Sequence, residues 1–92
     1  MRINWSKRAI ADLKGIADYI EKDDADAAER VAARIFDRVM SFNTMADRSK
    51  PGRLPGTRES FLVPWPYFIV YRIVGDEVRV LRIRHTARRW PV

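Results

Sequence analysis

Two runs rich in β-branched and aromatic residues dominate the C-terminal third of the chain. They cover residues 67–74 and 77–85, and only Gly75-Asp76 separates them. A two-residue link that begins with glycine predicts a tight β-hairpin, because glycine accepts the positive φ that such turns require. In that register Val74 lies opposite Glu77, and the pairing can be counted outward from the turn.

Counting outward assigns each side chain to one of the two faces of the hairpin. The first face is apolar near the turn and basic at its far end, and comprises Ile73, Val78, Tyr71, Val80, Ile69, Arg82, Tyr67 and Arg84. The second face is polar near the turn and apolar farther away, and comprises Val74, Glu77, Arg72, Arg79, Val70, Leu81, Phe68, Ile83 and His85. A half-solvated sheet would have one clearly polar face, so we expect both faces to be covered at least in part.

The N-terminal half has the periodicity of two amphipathic helices. A short strand-like run at residues 2–5 leads to Ser6, which suits the N-cap of a helix over about residues 7–22. The acidic link that follows offers Asp24 or Asp26 as the cap of a second helix, which ends near Phe42 or Met45. So short a link predicts an antiparallel helical hairpin.

The middle of the chain lacks this periodicity. Residues 46–57 contain two Pro-Gly pairs and several cations, which predicts a basic surface loop, and residues 58–63 read as a short strand. The element order is therefore β-α-α-β-β-β in one domain spanning residues 1–92. The fold class is α+β: a small, curved, mainly antiparallel sheet packed against a helical hairpin.

Charge and composition narrow the classes of function. The net charge is +6, yet residues 1–47 carry eight Lys/Arg against nine Asp/Glu, whereas residues 48–92 carry ten against three. A basic C-terminal half suggests an acidic partner: nucleic acid, an acidic protein, or both. With no cysteine and a single histidine, neither a metal nor a cofactor is expected. Without a signal-peptide pattern or a membrane-length apolar run, we expect a cytoplasmic protein with no membrane partner.

A series of short motifs runs through most of the chain in a fixed order. It comprises Gly56-Thr57-Arg58-Glu59, Pro66-Tyr67, Val70-Tyr71-Arg72, Gly75-Asp76, Leu81-Arg82 and His85. This ordered set, at this length and with this topology, resembles the RelE/ParE superfamily of bacterial toxins. The resemblance implies the toxin of a type II toxin–antitoxin module, which serves plasmid stabilisation or addiction. It also implies a hetero-oligomer in which a small, acidic cognate antitoxin holds the toxin inactive.

The resemblance leaves two targets open, the ribosome with its mRNA and DNA gyrase. RelE-like members cleave mRNA in the ribosome, and metal-independent cleavage needs a base, an acid and cations around the scissile phosphate. The nuclease candidates are Arg58, Arg82 and Arg84 as phosphate ligands and His85 as acid or base. The duller alternatives are that Arg82 pairs with a carboxylate such as Glu59 and that His85 is a structural hydrogen-bonding group.

The nuclease set is incomplete in this chain. RelE-like nucleases usually carry an arginine at the position of Phe68 and a tyrosine near the chain end, and residues 86–92 contain no tyrosine. This favours the ParE-like alternative, a poison of DNA gyrase that is not an enzyme of RNA cleavage.

Two contact surfaces follow from these patterns. One helical layer covers only one face of the sheet, so the antitoxin is expected to cover hairpin residues from Ile69, Tyr71, Ile73, Val78 and Val80. The target is expected to meet the cations and the aromatic residue of the loop and tail, namely Arg48, Lys50, Arg53, Arg88, Arg89 and Trp90. The competing interpretation of Trp90 is that it plugs the core.

Overall fold

The computed structural model describes residues 1–91. Strand β1 (Arg2–Trp5) is followed by helices α1 (Lys7–Glu21) and α2 (Ala25–Met45), and a 3-10 turn spans Ala46–Arg48. The remaining strands are β2 (Lys50–Pro51), β3 (Arg58–Phe61), β4 (Tyr67–Val74) and β5 (Glu77–His85). The α+β class is confirmed, and the expected order gains only the two-residue β2 within the predicted loop. Strand β3 ends earlier than predicted because Leu62 already belongs to the turn, where its carbonyl accepts from the Trp65 N–H.

Both helices begin at the residues that the sequence offers as caps. The Ser6 Oγ accepts a hydrogen bond from the Ala9 N–H at 3.0 Å, and the Asp24 Oδ1 accepts one from the Ala27 N–H at 3.0 Å. Each cap satisfies a backbone donor that has no partner within its own helix. The caps therefore fix where α1 leaves the sheet and where α2 turns back along it.

The sheet joins the first strand of the chain to the last. Its strand order is β1-β5-β4-β3-β2, with β1 parallel to β5 and every other pair antiparallel. Strand β1 reaches only as far as the Trp5–Val80 pair. Beyond that pair, α1 takes over the edge of β5, where the Ser6 N–H donates to the Val80 carbonyl and the Ser6 Oγ to the Leu81 carbonyl.

A β-bulge changes the register of the central hairpin. The Gly75-Asp76 turn is confirmed, with Val74 opposite Glu77, and the pairing holds as far as Tyr71 and Val80. The next pair joins Val70 to Arg82, so Leu81 is an extra residue on β5. Because side chains alternate with a period of two, one extra residue moves every later side chain of β5 to the opposite face.

The predicted assignment of faces is therefore wrong beyond Val80. Ile83 pairs with Ile69 and joins the apolar face, whereas Arg84 pairs with Phe68 on the other face. The bulge makes the first face almost wholly apolar, and this is the face that the helices cover. Its strand residues pack against both helices in one core that comprises Ala9, Val31, Ile35, Val39, Phe42, Ala46, Leu62, Tyr67, Ile69, Tyr71, Val78, Val80 and Ile83.

The hairpin residues expected to bind the antitoxin lie inside this core. Ile69, Tyr71, Val78 and Val80 have no exposed surface, and Ile73 is half-buried against the same cluster. The prediction that they form an open sheet surface is wrong, because the helices pack on the face that carries them. A partner would have to displace the helices to touch the four buried side chains.

The chain also covers much of the opposite face of the sheet. Phe68 and Val70 are completely buried there, although no helix packs on them. The Arg53 guanidinium lies 5.1 Å from the Phe68 ring centre, and the Phe61 ring stacks on Phe68 at 4.8 Å. Lys50 in turn lies over Phe61 at 4.4 Å. Loop cations thus shield the aromatic centre of this face through cation–π contacts.

We expect Tyr71→Phe to destabilise the fold. The Tyr71 hydroxyl donates to the buried Ala46 carbonyl at 2.5 Å, so the variant leaves that acceptor unpaired. The free energy of unfolding should fall by about 1–3 kcal/mol in a urea titration at neutral pH. Tyr19→Phe is the control, because Tyr19 is 72% exposed. Equal stability of Tyr71→Phe and the unmodified chain would contradict the role of this bond.

Tyr71 is also expected to cause part of the loss of folding stability at alkaline pH. Burial raises the pKa of Tyr71 above its ordinary value of 10.0, so the folded state disfavours the phenolate. The stabilisation from Tyr71 is therefore fully present below pH 10.0 and is lost as the pH rises through the raised pKa. Denaturation followed from neutral pH to above pH 10.0 should show a shallower alkaline loss for Tyr71→Phe than for the unmodified chain.

Candidate functional site

Arg82 is held by a carboxylate from α1. Its Nε and Nη2 donate to the two oxygens of Asp12 at 2.7 and 3.1 Å, and the Asp12 Oδ2 also accepts from the Ile83 N–H at 3.0 Å. Both side chains are largely buried, at 13% and 17% exposure. Arg82 therefore forms an ion pair, as the alternative to phosphate binding predicted, but its partner is Asp12 and not Glu59. In this state Arg82 has two of its donors engaged and little room to bind a phosphate.

Arg84 lies beside Arg82 but has no carboxylate partner among residues 1–91. Its guanidinium lies 5.6 Å from the Trp90 ring centre, and its Nη2 donates weakly to the Arg89 carbonyl at 3.5 Å. The Nε is buried without an acceptor. Burial lowers the pKa of Arg84, and the neighbouring positive charge of Arg82 lowers it further. Asp12 is the negative charge that acts in the opposite direction and raises this pKa.

His85 ends β5 next to a tyrosine. Its Nδ1 accepts a hydrogen bond from the Ala87 N–H at 2.9 Å, which leaves Nε2 as the donor of the neutral ring. The ring meets Tyr67 edge-on, with 5.3 Å between the ring centres. His85 therefore makes a structural hydrogen bond, which is the role expected of it if it is not catalytic. Its Nε2 remains without a hydrogen-bond partner within residues 1–91.

Arg58 does not join this group. Its Nη1 donates to the carbonyls of Asp47 and Ser49 at 3.1 and 2.8 Å, which fastens the 3-10 turn to β3. Arg58 also pairs with Tyr71 and so points to the helix-covered side of the sheet. Of the four nuclease candidates, Arg82, Arg84 and His85 share one end of β5, but His85 pairs with Tyr67 on the helix-covered face whereas the two arginines lie on the other face.

The residues predicted to contact the target differ in their surroundings: some are tied to one another, and most of the cations are exposed. The nearly buried carboxylate of Glu59 accepts from the Arg53 N–H at 2.9 Å and pairs with the Arg53 guanidinium at 3.4 Å. The Arg53 Nη1 donates in turn to the Trp90 carbonyl at 3.1 Å, so the loop and the tail are tied together. Trp90 is half-buried over the arginines of β5 and lies outside the buried core. The exposed members of the set are Arg48, Lys50, Arg53, Arg88 and Arg89.

An open groove lies between α1 and the adjoining ends of β4 and β5. Its volume is about 580 Å³, and its wall includes Gly15, Tyr19, Tyr67, Arg84, His85 and Arg88. Sequence reasoning missed this groove, because its two walls come from segments about 50–70 residues apart. Asp12, which bonds α1 to β5, gave no signal either, because it follows the polar positions of the helix.

A patch of exposed apolar residues, which we term the α2–β1 patch, lies on the opposite flank. Phe36 is 50% exposed and Met40, one helical turn later, is 42% exposed. Trp5 stacks on Phe36 with 6.5 Å between ring centres, and the amino group of Met1 donates to the Asn43 carbonyl at the end of α2. Periodicity identified only the buried stripe of α2 and did not reveal this second apolar surface.

The chain is similar to a known protein family and to known proteins along nearly its whole length. A family described as the ParE toxin of the type II toxin–antitoxin system, parDE, matches residues 3–90. The chain is 46% identical over 90 residues to protein Y4kP of Sinorhizobium fredii, which is assigned as a toxin, covering 98% of this chain and 93% of that protein. It is 38% identical over 89 residues to toxin RelE2 of Caulobacter vibrioides, covering 95% and 97% respectively.

Solved structures show the same fold. A chain of the chromosomal ParDE toxin–antitoxin system of P. aeruginosa superposes with a TM-score of 0.85 at 28% identity, covering 92% of this chain and 95% of that one. A chain of the RelBE2 toxin–antitoxin complex of Mycobacterium tuberculosis superposes with a TM-score of 0.69 at 21% identity, covering 91% and 95%. This chain belongs to the ParE toxin family of type II toxin–antitoxin systems, within the RelE/ParE superfamily.

Within residues 1–91, neither helix combines the length and the apolar character that crossing a bilayer requires.

We expect Asp12→Ala to destabilise the fold more than Asp12→Asn. Alanine removes the acceptor of the Ile83 N–H and leaves Arg82 unpaired, whereas asparagine keeps one carbonyl oxygen for the backbone. The loss for Asp12→Ala should be about 1–3 kcal/mol, with Asp12→Asn between it and the unmodified chain. Asp18→Ala, at an exposed position of the same helix, is the matched control. Equal melting curves for Asp12→Ala and Asp18→Ala would contradict the role of Asp12.

Proposed function

We propose that this chain is the growth-inhibiting toxin of a type II toxin–antitoxin module and that it acts on DNA gyrase in the cytoplasm without cleaving RNA. A cognate antitoxin would neutralise it within a hetero-oligomer. Family membership supports the toxin class. The choice of gyrase rests on the state of the sheet face opposite the helices.

The observation that carries this choice is the burial of Phe68. RelE-like nucleases usually have an arginine at this position, whereas Phe68 has no exposed surface and lies under the Arg53 guanidinium. Arg82 is engaged by Asp12, and Arg58 holds the 3-10 turn. Metal-independent phosphate cleavage requires several cations converging on one phosphate. Of Arg58, Arg82 and Arg84, only Arg84 is left without such a contact and could bind a phosphate.

A second candidate function is ribosome-dependent cleavage of mRNA by Arg82, Arg84 and His85. Two observations favour it: the relative from Caulobacter vibrioides carries the name RelE2, and His85 directly follows Arg84 at the end of β5. Under this alternative Arg84 would hold the phosphate and His85 Nε2 would move the proton. The two candidates predict opposite outcomes in the assays below.

Paired assays on the purified chain test the target. We expect inhibition of gyrase-catalysed DNA supercoiling and intact mRNA on translating ribosomes. Replacing both Arg88 and Arg89 by glutamate should weaken gyrase inhibition about tenfold or more without changing the melting temperature, because both side chains are exposed cations of the tail.

Arg72→Glu is the matched control for these charge reversals, since Arg72 is exposed at the turn end of the hairpin. Cleaved mRNA that disappears in His85→Ala, together with unaffected supercoiling, would replace the gyrase proposal by the nuclease alternative. A chain without effect in either assay would exclude both targets.

For the antitoxin we propose the α2–β1 patch in place of the buried hairpin residues. The patch is apolar and exposed, which is the usual state of a surface that a partner covers. The structural neighbours are toxins from systems in which an antitoxin accompanies the toxin. An apolar segment of an acidic antitoxin suits both the patch and the +6 net charge of the chain.

We expect Phe36→Asp to weaken antitoxin binding. A charge at the centre of the patch would be desolvated in the complex, at a cost of about 2 kcal/mol or more in the binding free energy. Val63→Asp is the control, because Val63 is 76% exposed in the turn between β3 and β4. Affinities are measured by calorimetry with the product of the adjacent small acidic open reading frame. Unchanged affinity of Phe36→Asp, or an equal loss for Val63→Asp, would rule out the patch.

A further inference from the structure

The two outer edges of the sheet differ in how they are protected. At one edge, β2 is only two residues long and contains Pro51, which has no N–H to offer to a further strand. At the other edge, β1 is four residues long, contains neither proline nor lysine, and pairs with β5 along one side only. An edge strand of this kind is ready to pair with another chain. The β1 edge is therefore the open side of the sheet.

The hydrogen bonds of β1 show which of its backbone groups point outward. The N–H groups of Arg2 and Ser6 both donate to carbonyls of β5 or of the turn before it, each at 2.9 Å. In a parallel ladder the bonds to one neighbour come from alternate residues, so the N–H of Asn4 also faces β5. The N–H and C=O groups of Ile3 and Trp5 consequently point to the free side. Within residues 1–91 these groups have no hydrogen-bond partner.

The open edge runs alongside the α2–β1 patch. The side chains of Ile3 and Trp5 lie on the helix-covered face, where Trp5 stacks on Phe36. Phe36 and Met40 are 50% and 42% exposed on the flank of α2 that adjoins this edge. A strand added to β1 would place every second side chain on the same face, next to these apolar groups. Unpaired backbone and exposed apolar surface thus favour the same occupant, an extended segment.

Charge on the opposite face distinguishes between possible occupants. Arg2 lies on that face, and its side chain is 79% exposed with only a 3.8 Å ion pair to Glu77. A second copy of the chain would bring a further net charge of +6 and a second Arg2 to this edge. An acidic segment would instead place a carboxylate across from Arg2, which stabilises strand pairing. Charge therefore favours an acidic partner over self-association.

We propose that an extended segment of the antitoxin joins the five-stranded sheet as a further strand, paired with the outer edge of β1. Its apolar residues alternate along the segment and face the α2–β1 patch, and an acidic residue on its other face meets Arg2. The outward backbone groups of Ile3 and Trp5 supply the main-chain hydrogen bonds, and the alternate side chains supply specificity. This inference rests on the proposed antitoxin partner and adds the conformation in which that partner binds.

Amide hydrogen exchange followed by NMR tests the pairing on the unmodified full chain. The chain is measured alone and in complex with the product of the adjacent small acidic open reading frame. Alone, we expect the N–H of Asn4 to be protected and those of Ile3 and Trp5 to exchange freely, since only Asn4 faces β5. In the complex, exchange at Ile3 and Trp5 should slow by at least about tenfold, because both donors gain acceptors.

The outcomes separate this inference from the proposed function. A complex that forms while Ile3 and Trp5 exchange as in the free chain would overturn the added strand and leave the antitoxin as the partner. Absence of any complex would overturn both. Protection of the two amides that rises with the concentration of the chain alone would assign the edge to a second copy, which also contradicts the proposal.

A pair of variants at Ile3 tests the same bonds by affinity. Ile3→Pro removes an outward N–H and takes no hydrogen bond from β5, and proline is tolerated at such edge positions. Ile3→Ala is the matched control, because it removes more of the side chain but keeps the N–H. By calorimetry we expect Ile3→Pro to bind the same antitoxin product at least about tenfold more weakly than Ile3→Ala. Equal affinities of the two variants, with both folded in melting curves, would overturn the proposal. If Ile3→Pro does not fold, the exchange measurement on the unmodified chain decides.

Discussion

The carboxylate of Asp12 is the bond on which the arrangement of the basic end depends. Strand β1 stops at Trp5, so the outer edge of β5 would present unpaired backbone donors beyond that point. Asp12 accepts from the Ile83 N–H and binds Arg82 at the same time, which joins α1 to the bulged part of β5. One helix thereby closes a sheet edge and removes one arginine from the surface. Arg88 and Arg89 remain as exposed cations of the tail beside it.

The features that depend on neighbours in sequence could be predicted from sequence. The caps at Ser6 and Asp24, the Gly75-Asp76 turn and the α+β class all follow from local chemistry. The bulge could not be predicted, because it depends on contacts across the fold, among them the bond from the Ser6 hydroxyl to the Leu81 carbonyl. One unpaired residue was enough to exchange the faces of the later part of β5. The prediction of the antitoxin surface was wrong for a related reason. Counting strand pairs assigns residues to faces but does not show which face the helices cover.

The candidate site shows the same difference between features set by local sequence and features set by long-range packing. Arg82, Arg84 and His85 were expected together and share the end of one strand, although His85 projects from the face opposite the two arginines. Arg58 was grouped with them by residue type, but its strand pairing with Tyr71 turns it to the other side of the sheet. The groove joins α1 to the ends of β4 and β5, and the α2–β1 patch joins β1 to α2, so no local pattern reveals either surface. Long-range packing, and not residue type, decides which cations remain available.

The parallel pairing of β1 with β5 has a consequence for synthesis of the protein. Residues 2–5 find their strand partner only in residues 77–80, so the edge of the sheet cannot close until nearly the whole chain has left the ribosome. The helical hairpin relies on local contacts and can form earlier, whereas this pairing closes a loop of about 75 residues and is intrinsically slow. The basic end, which Asp12 and β5 build together, is therefore assembled last. On a nascent chain this end of the molecule is therefore completed only when translation is almost finished.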